Sequence, residues 1–326
     1  MKILPAVFLG LVLFLLGLKL MSLGLEALWS TPFAAAIQRY TGNRITAFLC
    51  GFIFTALTQS SSLATVLVVG IVDAGLMPLG AAISVIIGAN VGTTITGQLI
   101  SFQLNQYAVP LVAIGLFIFI IGKGKLQQGG KALIGLGVLL FGLKTMGEAL
   151  TPIGTTAWFN KLVQIAGIHP FWGITAGALL TAVIQSSSAV IGVTIAMAQK
   201  GMIDLAGGIA VMLGADVGTC VTALLAGFSS SFTARQAAAA HLFFNLLTLC
   251  LVLPVYPFYV RLIAASAALI PRQLANAHTL YNLGGAIMIL LFLTPFQRMV
   301  EGLIKPDYSS KRRILLLFSE VIRKWF

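Results

Sequence analysis

Charge is what this sequence has least of. Only 9% of its 326 residues are charged, and the acidic ones number 8 against 20 Lys and Arg. With 59% hydrophobic residues and a mean hydropathy of +1.02, the chain has too little polar surface for a water-soluble globule of this length. It reads as an integral membrane protein whose first partner is the lipid bilayer. The net charge of +12 would suit a nucleic-acid binder, but the basic residues stand singly or in short loop clusters, so no nucleic-acid partner is expected. Cytoplasmic loop charge explains the excess better. Cysteine is equally sparse: Cys50, Cys220 and Cys250 lie in apolar runs, at spacings unlike a disulfide framework or a zinc site, and read as small packing residues. The chain also lacks a His/Asp/Ser constellation, a metal cluster and a nucleotide loop, which argues against an enzyme and against a cofactor.

What is present is a duplication. Gln59-Ser60-Ser61-Ser62 recurs 126 residues later as Gln185-Ser186-Ser187-Ser188, each a polar break in apolar sequence. Each is followed by a glycine-bearing motif, Gly88-Ala89-Asn90-Val91-Gly92-Thr93-Thr94 and Gly214-Ala215-Asp216-Val217-Gly218-Thr219-Cys220, with 31 positions from Gln59 to Asn90 and from Gln185 to Asp216. Residues 75–96 align with 201–222 without a gap, ten of 22 positions being identical. Gly142-Leu143-Lys144-Thr145-Met146 also resembles Gly17-Leu18-Lys19-Leu20-Met21. The glycine motifs fit the Gly-x-x-x-Gly helix-contact pattern as well as they fit a binding role.

In chain order, residues 3–28 form a first membrane helix, retained rather than cleaved, and 29–44 read as an interfacial stretch. The arms flanking Gln59 to Ser62 have 14 and 13 residues, each about 20 Å if helical. Neither crosses a bilayer core of about 30 Å comfortably, so a re-entrant hairpin or a broken spanning helix is expected. A further short arm runs over 77–89 and a span over 106–122. The boundaries expected are repeat 1 at 1–126, repeat 2 at 127–256, additional C-terminal membrane helices at 257–304 and a basic amphipathic tail at 305–326. Lys123, Lys125 and Lys131 in one inter-repeat loop, and none in its counterpart at 249–257, favour inverted topology under the positive-inside rule. The tail, with six basic residues, places the C-terminus in the cytoplasm. The fold class is thus an all-α integral membrane protein of two inverted-topology repeats, each with a re-entrant helical hairpin.

Where the second arm of a hairpin begins, unpaired backbone N–H groups and the helix dipole favour an anion, and serine is a favoured N-cap. Serine hydroxyls donate to oxyanions, and glutamine offers an amide donor and a carbonyl for a cation. No Lys or Arg occurs between Arg44 and Lys123, or between Lys161 and Lys200. An anion at these motifs therefore needs mobile cations to neutralise it, unless a distant segment folds in. Asp216, in an apolar stretch and paired with neutral Asn90, is the sharpest single residue; it could hold sodium with Thr219, or carry a proton. Asp73 and Asp204 fall at turns and read as solvated. His241/Asn245 and His278/Asn282, at i, i+4 spacing, read as structural bracing in preference to substrate contact. Lys19 and Lys144 read as snorkelling or capping residues, with a role in anion attraction as the weaker alternative.

The paired Gln-Ser-Ser-Ser motifs, the Gly-Ala-Asn/Asp-Val-Gly-Thr motifs and the later His-x-x-x-Asn pairs resemble the type II sodium–phosphate cotransporter family in its shorter bacterial form, over roughly residues 1–300. The resemblance implies two inverted repeats and sodium-driven symport of inorganic phosphate by alternating access, in a multi-pass protein of the bacterial inner membrane. Gln59, Ser60, Ser61, Ser62, Gln185, Ser186, Ser187 and Ser188 would hold phosphate. Gln59, Asn90, Thr93, Gln185, Asp216 and Thr219 would hold sodium, the coupling ion. Homodimerisation stays open, as do phosphate export, proton-coupled carriage of another oxyanion, and a phosphate-sensing membrane scaffold.

Overall fold

The computed structural model describes residues 3–40, 42–102, 104–154, 156 and 169–305. Among these every regular element is helical. In chain order the α-helices are α1 (Ile3–Tyr40), α2 (Arg44–Thr58), α3 (Ser61–Asp73), α4 (Leu79–Ser101), α5 (Ala108–Ile121), α6 (Lys125–Gly154) and α7 (Pro170–Ile184), then α8 (Ser187–Gln199), α9 (Leu205–Gly227), α10 (Phe232–Val252), α11 (Tyr256–Ala264), α12 (Ile270–Leu291) and α13 (Leu293–Leu303). Seven stretches are long and apolar enough to cross a membrane, while α2, α3, α7 and α8 are apolar but shorter. With 15, 13, 15 and 13 residues, each of these four reaches only about 20 Å.

Two sequence expectations need correction. The stretch expected at the interface from residue 29 continues the first helix to Tyr40. The short arm expected over 77–89 is instead part of a continuous 23-residue helix through the Asn90 motif. The motif's glycines do not interrupt the helix; they let another backbone approach it. A Cβ on Gly88 would lie 1.9 Å from Phe48 O, and one on Gly214 would lie 1.9 Å from Ile174 O. The expected amphipathic tail lies outside the described residues beyond Lys305.

These close approaches fix helix direction. Gly88 meets Phe48 and Gly92 meets Thr55, so α2 and α4 run parallel. Gly214 meets Ile174 and Gly218 meets Thr181, the same contacts 126 positions later, and α7 and α9 run parallel as well. The helix between each parallel pair must return, so α2–α3 and α7–α8 double back at Gln59-Ser60 and Gln185-Ser186. The two glutamines make the reversal with left-handed backbones, φ 58°, ψ 28° and φ 57°, ψ 29°. Among the described residues they are the non-glycine positions with positive φ, each at a cost of about 1–3 kcal/mol. Gln59 N–H donates to Thr55 O at 2.7 Å and Gln185 N–H to Thr181 O at 2.6 Å, closing the helix ends.

A second seam holds the long helices. Gly10 approaches Met146, Gly17 approaches Leu139 and Gly24 approaches Ala132, so α1 and α6 are antiparallel with backbones in contact. The contact is also isologous. Gly10–Met146 becomes Gly135–Met21 when both residues are exchanged for their counterparts 125 positions away, and Gly17–Leu139 becomes Gly142–Phe14. Such an exchange is the signature of a local two-fold axis between the two helices.

Candidate functional site

The turns at the two glutamines converge. Ser60 is the N-cap of α3, its Oγ accepting from Leu63 N–H at 3.3 Å, and Ser186 caps α8, accepting from Ala189 N–H at 3.2 Å. Both caps, both glutamines and the serines that follow line one cavity of about 490 Å³. Two helix N-termini, each with partial positive charge and unpaired N–H groups, therefore open into the same space. Among the described residues, the hydroxyls of Ser61, Ser62, Ser187 and Ser188 make no hydrogen bond to another protein group, which leaves them for a ligand. The glutamines differ. Gln59 is buried, its amide donating to Ala56 O and its Oε1 accepting from Thr96 Oγ1 at 2.6 Å; Gln185 is exposed to the cavity.

The remaining wall comes from α1. Its glycine face packs on α6, and an adjacent face presents Leu15, Lys19, Ser22 and Glu26 to the cavity. Ser22 Oγ donates to Thr58 O at 2.8 Å, at the end of α2, and lies 3.3 Å from Glu26 Oε1. This corrects the expectation that no fixed cation stands near the serine motifs: the distant segment that folds in is α1. Lys19, for which the sequence favours snorkelling or capping over anion attraction, lines this cavity.

Asn90 and Asp216 belong to a second polar layer, away from the cavity lining. His241 Nε2 lies 2.9 Å from Asn90 Oδ1, while Asn90 Nδ2 donates to Asn245 Oδ1 at 2.9 Å and to Asn282 Oδ1 at 3.2 Å. Across from it, Asp216 receives His278 Nε2 at 3.0 Å and Asn282 Nδ2 at 2.7 Å. Each His-x-x-x-Asn pair thus closes on one motif, and Asn282 bridges both. The amide orientation makes Asn90 Oδ1 an acceptor, so His241 donates from Nε2; both Nδ1 atoms are buried without a partner. Thr93 and Thr219 turn their hydroxyls to Ala89 O and Ala215 O, both at 3.1 Å. Cys220 is more than packing, since Asn245 Nδ2 donates to its sulfur at 3.2 Å.

A family described as Na+/Pi-cotransporter matches residues 13–148 and, a second time, residues 139–270. The chain belongs to the Na+/Pi-cotransporter family. Members of that family are transporters, not enzymes, and the apolar helices accord with a multi-pass membrane protein. An uncharacterized Bacillus subtilis protein, YqeW, is 31% identical over 298 residues, 91% of this chain and 97% of its own length. A protein named for inorganic phosphate export, YjbB of Escherichia coli, is 26% identical over 305 residues, and this chain spans 55% of its length. The rabbit sodium-dependent phosphate transport protein 2A is 36% identical over 61 residues, 19% of this chain and 10% of its own. No solved structure matches the chain.

For a Na+/Pi-cotransporter, then, the structure gathers the eight Gln and Ser residues expected at phosphate into one cavity. It places Asn90, Thr93, Asp216 and Thr219, expected at sodium, in a separate layer with the histidines. Sequence reasoning gave Lys19 only a weaker role in anion attraction and passed over Glu26, both of which line the cavity. The signal was in the sequence, since Leu15, Lys19, Ser22 and Glu26 recur every three to four positions on one helix face, but it did not say what that face would meet.

Proposed function

We propose that the chain moves inorganic phosphate together with sodium across the bacterial inner membrane by alternating access, the anion held between the two Gln-Ser-Ser-Ser tips. The observation that carries this is the meeting of both tips, one from each half, at one cavity. A ligand clamped there touches both halves, so rocking one half against the other would expose it to one side at a time. The isologous α1–α6 seam supports inverted topology, because a two-fold axis between antiparallel helices reverses the direction of everything attached to them. The shortness of α2, α3, α7 and α8 supports re-entrant hairpins. Ser60, Ser61, Ser62, Ser186, Ser187 and Ser188, with Gln185, bind phosphate oxygens. Sodium is assigned to the Asn90–Asp216 layer with Thr93 and Thr219. A sodium ion at Asp216 would displace His278 or Asn282 from the carboxylate. The basic residues of the tail support a cytoplasmic C-terminus under the positive-inside rule.

Phosphate export is the second reading, favoured by the name of the Escherichia coli relative; the same cavity serves either direction. The deciding experiment is radiolabelled phosphate flux in proteoliposomes with a sodium gradient. Ser61→Ala and Ser187→Ala should each lower sodium-dependent uptake by roughly tenfold, the size of one lost charge-assisted hydrogen bond, with folded yield unchanged. Full uptake in both variants would remove the shared site.

A further inference from the structure

We infer that Lys19 is the fixed countercharge of the transported anion and sets the protein's preference for the more highly charged form of its substrate; the inference rests on the proposed function of the same cavity. Lys19 is the lysine on the cavity wall shared with both serine tips. Among the described residues no carboxylate comes within 4.0 Å of its ammonium, the ion pair found there being His278–Asp216. Glu26 also faces the cavity, but it stands seven residues further along α1, about 10 Å along the helix axis, beside Ser22. The Lys19 charge is therefore not already spent on a protein partner.

A lysine in an apolar helix ordinarily lays its stem along the helix and carries its charge to the membrane surface. Here the neighbours at one helical turn, Leu15 and Ser22, line the cavity with it, so the accessible water is the cavity itself. The ammonium supplies three donors to a space whose other groups are hydroxyls, two glutamine amides and helix N-termini, with the Glu26 carboxylate about 10 Å further along α1. Those neutral and partial charges coordinate an oxyanion without compensating its full charge; an ammonium compensates one unit permanently. At the Lys19 end of the cavity, with Glu26 about 10 Å away along α1, a phosphate dianion needs one fewer mobile cation than it would beside hydroxyls alone.

Lys144 is the internal control. It is the counterpart of Lys19 in the second copy of the Gly-Leu-Lys motif, it is exposed on α6, and it is absent from the cavity lining. The experiment measures inorganic phosphate uptake into proteoliposomes at fixed sodium over a range of pH, for the wild type, Lys19→Gln, Lys19→Arg and Lys144→Gln. Equilibrium binding of inorganic phosphate to each purified protein provides the second measurement. The expected result is a KM for phosphate raised by about tenfold in Lys19→Gln, with Vmax changed less. Lys19→Arg should restore the affinity, and Lys144→Gln should match the wild type. The wild-type KM should fall as pH rises through the second ionisation of phosphate, and that dependence should flatten in Lys19→Gln, which a packing defect would not produce. An unchanged KM and pH profile in Lys19→Gln would overturn the inference while leaving the transport reading in place. A loss in Lys19→Gln that arginine does not rescue, or an equal loss in Lys144→Gln, would also overturn it. Absence of phosphate flux and binding in the wild type would overturn the transport reading and this inference with it.

Discussion

At the scale of single residues the two halves differ most at one position. Asn90 and Asp216 occupy equivalent places, yet one is a neutral amide held by His241, Asn245 and Asn282, and the other a carboxylate whose two oxygens are taken by His278 and Asn282. A buried carboxylate that exchanges one donor for a cation changes the charge carried by the moving protein, whereas an amide that does so contributes only a ligand. Asp216→Asn should therefore change the charge moved per phosphate, read as current per labelled phosphate at clamped membrane potential. Unaltered current and sodium dependence would leave the residue a structural brace. The importance of Asp216 was legible in the sequence as an acid in an apolar stretch. Its partners were not, because His278 and Asn282 lie 62 and 66 residues further on, and helical periodicity gives the face a residue occupies without the helix it meets.

At the scale of elements, short helices gain their positions from backbone contact. In each half a parallel helix pair is sealed by glycines, and the opposing carbonyl of Phe48 or Ile174 leaves no room for a methyl group. Gly88→Ala should push α2 off α4 and displace the tip at Gln59, costing about 1–3 kcal/mol as overpacking does. The measurement is thermal unfolding in detergent, where Gly70→Ala, at a glycine with open space around it, should be near neutral; equal melting temperatures for the two variants would refute the contact. Elements also show where the sequence ran short. The polar breaks at Gln59 and Gln185 were readable as hairpin tips, since serine N-caps and short apolar arms declare themselves locally. The continuity of α4 through its glycine motif was not, because the same glycines that lower helix propensity are needed where another backbone approaches. Asp73 and Asp204 are exposed at turns, as expected; each also accepts a backbone hydrogen bond, Asp204 from Gly207 N–H at 2.8 Å as the cap of α9 and Asp73 from Ser231 N–H.

At the scale of the whole molecule, coupling is a statement about gradients. If, as proposed, phosphate and sodium bind one clamped state, net phosphate flux should follow the sodium gradient and collapse when choline replaces sodium on the phosphate side. Setting sodium gradient and membrane potential independently in proteoliposomes separates sodium from proton coupling, and flux that ignores sodium would refute the symport. Composition alone placed the protein in a membrane, and the duplication placed two equivalent motifs in it. That the two tips meet in one site was expected from their duplication, and they line one cavity; that α1 supplies the remaining wall was not, for it depends on which helix packs beside them.

The seam between α1 and α6 has a consequence of its own. Because each contact is returned by its counterpart, the stretch that forms one side carries the instructions for the other. Such a surface is self-recognising: a segment able to build it could build it with a second copy of itself laid the opposite way. In terms of information, the present chain specifies this joint twice, so a change on one helix alters only one of two matching contacts, and Asp216 against Asn90 shows that the two copies need not stay identical.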